Sequence, residues 1–540
     1  MAFEYEDDII VIDMGFEFPS EEMYGIDYII PDVSYLEEKR KNIRGVVLTH
    51  AHLDHIGGIP YILPRLDFPA MYGTKLTMGM VEKRIEEFDQ KRYAKLNTIS
   101  PDDTLRLGKF TVTFFRVTHS IPDCVGVVIE TPAGKVVMTG DYKFDDEVAS
   151  PFEQAEIEKM EALGREGKVI AMFGDSTNSL KPGHSLSSRQ VTEALDKTIG
   201  EIEGRMIIAT FSSQLGRLEQ ILNIAMKHNR KVFVSGRSMQ NNLDIAMKLG
   251  YIKVPNGFVQ DIRQYQKSNT PDSETMIITT GSQGESRSAL ARIAADTHQN
   301  IKLKQDDTII LSSSPIIGNE VAIAKLVNRL CKKGAHVIHN QIKEVHTSGH
   351  GYQDEIVRMI DLIKPKYLVP VHGEYFMRQG QGDLAMERCG YDKSRIIMIE
   401  NGNVLHISND EVRISDEEVE TKYILIDGQG EGQVGSQVQF DRRIMSENGI
   451  VMVLVPIDRK SKKIKGRPDV ISRGFIYMHE TDEIANEIAR IAEDSYKNIH
   501  SKNPGASRGE IKKYIRQRID KYTDKTIERR PLIVPLLVEG

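Results

Sequence analysis

Short apolar runs recur along this chain, and most of them break off at a polar residue followed by a glycine or proline. Residues 9–15, IIVIDMG, fit a short buried strand ending on Asp13, and RGVVLTH, 44–50, fits another that runs into His50. IGGIPYIL, 56–63, has the pattern of a helix start. Between 104 and 141 come LRL, FTVTFFRV, VGVVIET, a PAGK turn and VVMTGD, the pattern of a strand meander, and KVIAMFGD, 168–175, adds one more strand. A meander beside helices predicts a layered α/β unit. After about residue 186 the rhythm changes. RMIIATF, KVFVSG, MIITTG, TIILSSS and AHVIH alternate with helix-like runs such as QLGRLEQILNIAMKHN and NEVAIAKLVNRLCKKG, which predicts βαβ units on a mostly parallel sheet. From 346, HTSGHGYQDEIVRMIDLI and KYLVPVHGEY bring back strand ends rich in histidine. DGQGEGQVG, 427–435, has the composition of a linker. Beyond it ENGIVMVLVPID, the basic tract RKSKKIKGR, FIYM, helical runs over 481–497 and 508–522 and a final PLIVPLLV predict a small α/β dimerisation domain.

Composition narrows this picture. At 540 residues the chain exceeds one simple core, so two to four domains are expected. Its 40% hydrophobic and 28% charged residues are those of a globular protein. With a net charge of −7 there is no global basic field, so any surface for nucleic acid must be local or supplied by bound metal. The three cysteines, Cys124, Cys331 and Cys389, are too scattered for a disulfide framework or a thiolate metal site, and they fit a reducing cytoplasm. The start, MAFEYEDD, lacks a signal-peptide pattern, and no apolar run approaches the roughly 20 residues that span a bilayer, so no membrane partner is expected.

Ligand chemistry concentrates at one strand end. HAHLDH places His50, His52, Asp54 and His55 within six residues. In extended backbone His50, His52 and Asp54 share a side, and His55 faces the other way until the chain turns. Such a segment can serve two ions, and imidazole with carboxylate suits zinc or manganese. His119 in FFRVTHSIPD, Asp141 in VVMTGDYKFD and His372 in YLVPVHGEY repeat the same design of apolar strand, ligand and turn. Singly, each has a cap as its alternative. His228, His298 and His500 stand in polar, helix-like surroundings and are expected to be solvated; His336 and His339 stay open.

Asp13, the HAHLDH segment, His119 and Asp141 resemble the successive motifs of the metallo-β-lactamase fold. Asp175 in GDSTNS, His350 in TSGHG and His372 in PVHGEY resemble the three further motifs of its β-CASP branch, which processes nucleic acids. With ATFSSQ, GRSMQNN, TGSQGE and SSSPI, the whole chain resembles the bacterial ribonuclease J family. Seven motifs in order make this specific, where a lone HxHxDH would indicate the fold alone. Two departures stand out: that family usually begins with a further strand and glycine-rich turn, and Cys124 replaces a small polar residue after SIPD.

The resemblance implies an α/β fold: a metallo-β-lactamase αββα core with an inserted β-CASP domain and a small C-terminal α/β domain. The expected divisions are 1–186 and 346–426 for the core, 187–345 for the insertion, 427–445 for a linker and 446–540 for an oligomerisation domain. It assigns His50, His52 and His119 to one metal, Asp54, His55 and His372 to the other, and Asp141 to both. The expected cofactor is a pair of divalent ions, Zn²⁺ first, with Mn²⁺ or Mg²⁺ open. Asp54 could also orient the attacking hydroxide. Asp13 is read as holding a ligand histidine, with a structural cap as the alternative. His350, oriented by Asp175, could touch phosphate or protonate the leaving 3′ oxygen; the alternative is a glycine turn with an incidental histidine. Bare amides and a hydroxyl at Ser348, Gly349, His350 and Gly351 could cradle a phosphate. Ser212, Ser213, Arg237 and Ser238 could meet the RNA backbone or serve as caps and surface residues. Arg217 and the 459–467 tract could add counterion release, although a solvated loop is the simpler reading of the tract.

The implied activity is a metal-dependent ribonuclease, both a 5′-to-3′ exonuclease and an endonuclease, in RNA maturation and decay, including rRNA processing and mRNA turnover. The expected partner is single-stranded RNA with a preferred 5′ monophosphate. The expected assembly is a homodimer or homotetramer, with a paralogue as a further candidate partner. A small-molecule hydrolase on the same fold and a weakly active partner subunit are the competing readings.

Overall fold

The computed structural model describes residues 1–20, 22–148, 150–316, 318–340, 342–343, 345–428, 435–475 and 481–539. They fall into two compact units, one of Met1–Phe16 with Pro31–Lys422 and one of Glu17–Ile30 with Tyr423–Gly540.

The first unit contains two facing sheets and an inserted third. One sheet runs in the order Ala2–Tyr5, Asp8–Ile12, Ile43–Val47, Ala70–Thr74, Lys95–Ile99. The other runs Tyr367–Val371, Val169–Asp175, Gly134–Met138, Cys124–Thr131, Phe110–Val117, Leu105–Leu107. Ile10, Ile12 and Val47 of the first pack with Val112, Phe114, Val127, Val136, Phe173 and Val369 of the second in one apolar layer. Burying each such side chain contributes roughly 1.5–3 kcal/mol, and the layer fixes both sets of strand ends. The meander over 104–141 forms as expected, with Phe110–Val117, Cys124–Thr131 and Gly134–Met138 paired antiparallel. The edge strand Ala2–Tyr5, which the acidic start did not announce, pairs with Asp8–Ile12.

The inserted sheet is fully parallel, in the order Val259–Asp261, Lys231–Ser235, Thr275–Thr279, Met206–Ala209, Thr308–Leu311, His336–His339. Met206–Ala209, Thr275–Thr279 and Thr308–Leu311 are buried at every position, as central strands covered on both faces must be. Val259–Asp261, half-buried and three residues long, is too short to show a period.

In the second unit Ile450–Ile457 alternates in burial, and helices Thr481–Lys502 and Arg508–Ile527 cover the side carrying Val451, Val453, Val455 and Ile457. Asp469–Arg473 and Leu532–Glu539 flank it. Two features depart from the sequence reading. Ser436–Asn448 is a helix where a linker was expected, and Tyr28–Pro31 pairs with Tyr423–Ile426, which brings Glu17–Ile30 into this unit. Residues 429–434 of the glycine-rich stretch and 476–478 of FIYM lie outside the described residues.

Candidate active site

The turn after Ile43–Val47 is clamped by the turn after Asp8–Ile12. Met14 N–H donates to His55 O at 2.7 Å, and Gly58 N–H donates to Met14 O at 2.9 Å. A Cβ on Gly15 would lie 1.5 Å from the Asp54 carbonyl oxygen, so only glycine lets these turns close. Asp13, in the left-handed region at φ 59°, turns its carboxylate into the gap. It accepts from Thr49 N–H and Thr49 Oγ1 at 2.8 Å each, and from His55 Nδ1 at 2.7 Å.

Each histidine of the cluster, His52 apart, is held by its outer nitrogen. His50 Nδ1 meets Thr49 Oγ1 at 3.1 Å, and His119 Nδ1 donates to Gly349 O at 2.7 Å. His372 Nδ1 meets Thr177 Oγ1 at 2.8 Å, and that hydroxyl donates to Asp175 Oδ1 at 2.7 Å. An outer N–H spent on an acceptor leaves the inner nitrogen with its lone pair. The inner nitrogens then converge, with room for one hydrogen at most among the three: His52 Nδ1 lies 3.1 Å from His50 Nε2 and 3.0 Å from His119 Nε2. The buried His55 Nε2 has no hydrogen-bond partner. Burial first, then the neighbouring imidazoles, hold His50 well below the ordinary histidine value; burial likewise lowers His119, and brings His52 to about 4. Neutral imidazoles with converging lone pairs repel unless a cation sits among them, so the donor set fits metal ions.

The carboxylates complete two groups. Asp141 Oδ2 lies 3.5 Å from His50 Nε2 and 3.3 Å from His55 Nε2, and its Oδ1 lies 3.6 Å from His372 Nε2. Asp54 Oδ2 lies 3.4 Å from His372 Nε2. Ligand atoms of His50, His52, His119 and Asp141 all lie within 4.8 Å of one another, and so do those of Asp54, His55, Asp141 and His372. A third such group is Asp141, Asp175, His350 and His372. Burial opposes the charge on Asp141, yet His372 and His55 keep it ionised below the usual carboxylate range. Burial likewise opposes protonation of His55, but Asp141, Asp54 and Asp13 raise it.

His350 Nδ1 lies 2.7 Å from Asp175 Oδ2, and its ring stacks beside that of His372 with centroids 5.3 Å apart. The TSGHG loop is wired to the fold around it. Asn178 Nδ2 donates to Ser348 Oγ at 2.8 Å and to His350 O at 2.9 Å. A Cβ on Gly349 would sit 2.6 Å from the His119 ring. The expected cradle of bare amides is narrower than the sequence suggests. His350 N–H is taken by Ser348 Oγ at 3.1 Å, and Gly351 N–H by Tyr142 O at 2.7 Å. The amides of Ser348 and Gly349 have no such partner among the described residues.

All seven expected ligand positions, with Asp13, Asp175 and His350, thus come together. Ser212, Ser213, Arg237 and Ser238 sit at strand ends of the inserted sheet. Ser212 O accepts from Asn242, and Arg237 lines a 540 Å³ cavity with Asp261, Arg292 and His298. Among the described residues none of the four bonds to the histidine cluster. His298 is buried rather than solvated, with Nε2 at 3.0 Å from Ser235 Oγ. Sequence reasoning passed over Thr49, Thr177 and Asn178. The signal was adjacency: Thr49 precedes His50, and Thr177 and Asn178 follow Asp175 in GDSTNS.

Comparison with known proteins matches four segments of the chain. Residues 10–200 match the β-lactamase superfamily domain, 203–330 the ribonuclease J β-CASP domain, 335–393 the Zn-dependent metallo-hydrolase RNA specificity domain and 438–540 the ribonuclease J C-terminal domain. The chain is 41% identical to ribonuclease J 1 of Streptococcus pyogenes over 99% of its own length and 94% of that relative. It is 37% identical to ribonuclease J2 of Bacillus subtilis over 100% of its length and 95% of that relative. With the divalent-metal donor set already in place, the chain belongs to the ribonuclease J family of metal-dependent, RNA-hydrolysing enzymes.

Proposed function

We propose that this chain cuts RNA at the histidine–aspartate cluster, both from the 5′ end and internally, in RNA maturation and decay. The observation that carries this reading is the pairing of a double donor cluster with an oriented acid–base residue: His350, held by Asp175 at 2.7 Å, beside His372 and His119. His50, His52, His119 and Asp141 would hold one ion, and Asp54, His55, His372 and Asp141 a second, with Zn²⁺ the first candidate. Such ions supply Lewis acidity: they favour ionisation of a water and offset charge growing on the phosphate.

The chain's own residues do the rest. Asp141 is shared between the two groups, which fixes their separation. Asp54, half-exposed, is free to accept a proton bond from the attacking water. Asp13 and Thr49 hold His55 and His50 in one tautomer. Asp175 orients His350, so its Nε2 can hold a proton for the leaving 3′ oxygen. The third donor group would compete for His350 and Asp175, but their short mutual bond favours the acid–base role over ligation.

RNA enters single-stranded, with Ser212, Ser213, Arg237 and Ser238 as proposed backbone contacts. Ser348 and Gly349, through their amides and the Ser348 hydroxyl, would bind a terminal monophosphate by charge-assisted bonds. The half-exposed Met452, Leu454, Val534 and Leu536, on the sheet face away from the helices, support oligomerisation through the C-terminal unit. Among the described residues no helix is long and apolar enough to cross a membrane; cytoplasmic residence is part of the proposal. A small-molecule hydrolase does not account for the inserted sheet, and a weakly active subunit does not account for an intact donor set.

Three RNAs that differ only in a 5′ monophosphate, hydroxyl or triphosphate test the reading. Mononucleotide release should rank monophosphate over hydroxyl over triphosphate, whereas internal cuts should ignore that end. Equal release from all three would remove the terminal pocket from the account.

A further inference from the structure

The second unit carries a charge feature that the cleavage site leaves unused. In a chain of net charge −7, the nine residues 459–467 hold six cations: Arg459, Lys460, Lys462, Lys463, Lys465 and Arg467. They join the antiparallel strands Ile450–Ile457 and Asp469–Arg473. All six are exposed.

The tract is built, not slack. The Asp458 carboxylate accepts from Lys460 N–H at 3.1 Å, Ser461 N–H at 2.7 Å and Ser461 Oγ at 2.8 Å. Lys465 N–H donates to Pro456 O at 2.9 Å, and Tyr496 OH donates to Lys462 O at 2.8 Å. Ile464 bridges to Ile457 and packs on the unit's core. Elsewhere on this unit some surface cations are matched, as Arg490 is by Glu487 and Asp494, and Lys497 by Glu493. Here, among the described residues, only Lys462 meets a carboxylate, Glu539 at 3.1 Å. Six like charges held together, one of them alone paired with a carboxylate among the described residues, repel one another. A ligand with repeating negative charge relieves that repulsion and releases its own counterions.

We propose that the 459–467 hairpin is a second RNA-holding surface, which grips the phosphate backbone of long single strands without reading sequence. This rests on the ribonuclease reading above. RNA fits better than an anionic lipid surface, because the tract's one apolar side chain, Ile464, points inward and leaves nothing to insert.

The test compares the full-length protein with the triple variant Lys460→Gln, Lys463→Gln, Lys465→Gln. Binding of a 2′-O-methyl oligouridine of about 30 nucleotides, well above one site of about 4–16 nucleotides, is followed across salt concentrations with chelator present. At about 0.7 counterions released per contact on a single strand, the log–log salt slope should fall by about 2, with affinity down about 10- to 100-fold at low salt. Glu539→Gln, which frees Lys462, should steepen the slope instead. Metal-loaded cleavage of an RNA of about four nucleotides, no longer than one small single-strand site, should be unchanged. An unchanged slope in both variants overturns the proposal. So does a loss of binding that tracks loss of the oligomer in light scattering, or wild-type binding to anionic vesicles but not to RNA. Failure of the ribonuclease reading would show separately, as no cleavage of the short RNA by the metal-loaded wild-type protein.

Discussion

The two halves of the donor cluster are built differently. His50 and His119 are buried side chains whose outer nitrogens are fixed by Thr49 and a backbone carbonyl, and with His52 their inner nitrogens meet at 3.0–3.1 Å. Asp54 and His372 in the other half are 50% and 30% exposed, and they meet each other at 3.4 Å. One half is closed and already shaped. The other faces solvent, and carboxylates do more of the holding. That asymmetry suits a site in which one ion anchors the structure and the other meets water and substrate, since an open position is what catalytic metal sites keep.

The sharpest way to break this comparison is to remove a candidate ligand from the closed half. His52→Ala should lower bound metal and take RNA cleavage below detection. Retained metal with retained activity would show that His52 is no ligand. Next in size, His350→Ala should slow cleavage about 10²–10⁴-fold, the usual range for a lost acid–base group, and leave metal content near wild type. Loss of metal in that variant would instead move His350 into the donor set. Asp13→Asn keeps the shape but weakens the acceptor for His55, so metal affinity should drop about 10–100-fold, as for other groups that orient a ligand; isothermal titration with zinc measures it. The smallest effect is kinetic. On adding chelator, release should be biphasic, and His372→Ala should remove the fast phase alone. A single phase in the wild-type protein would mean that the halves are equivalent.

Much of this was legible because the candidate ligands end apolar strands. His50, His119, Asp141 and His372 each close a run of buried residues, and the two-sheet core then brings those ends together. What stayed hidden depends on side chains too common to signal anything. Thr49 and Thr177 look like any threonine, yet each passes a hydrogen bond from a histidine to an aspartate. Long-range pairing was hidden as well: nothing local in Tyr28–Pro31 announces a partner some four hundred residues away. Ser436–Asn448 escaped because Val438, Phe440 and Met445 are exposed, so the helix shows no core-facing stripe. His298 looked solvated because its partner Ser235 comes from a distant strand.

Cleavage and metal content measured in the same samples test the central claim most directly. Wild-type protein and His52→Ala are each given 5′-labelled RNA before chelation, after chelation and after zinc or manganese is restored. The account predicts that wild-type cleavage disappears with the metal and returns with it, and that His52→Ala stays inactive throughout. Cleavage that persists in chelator once the metal is gone, or in His52→Ala without metal, would contradict it.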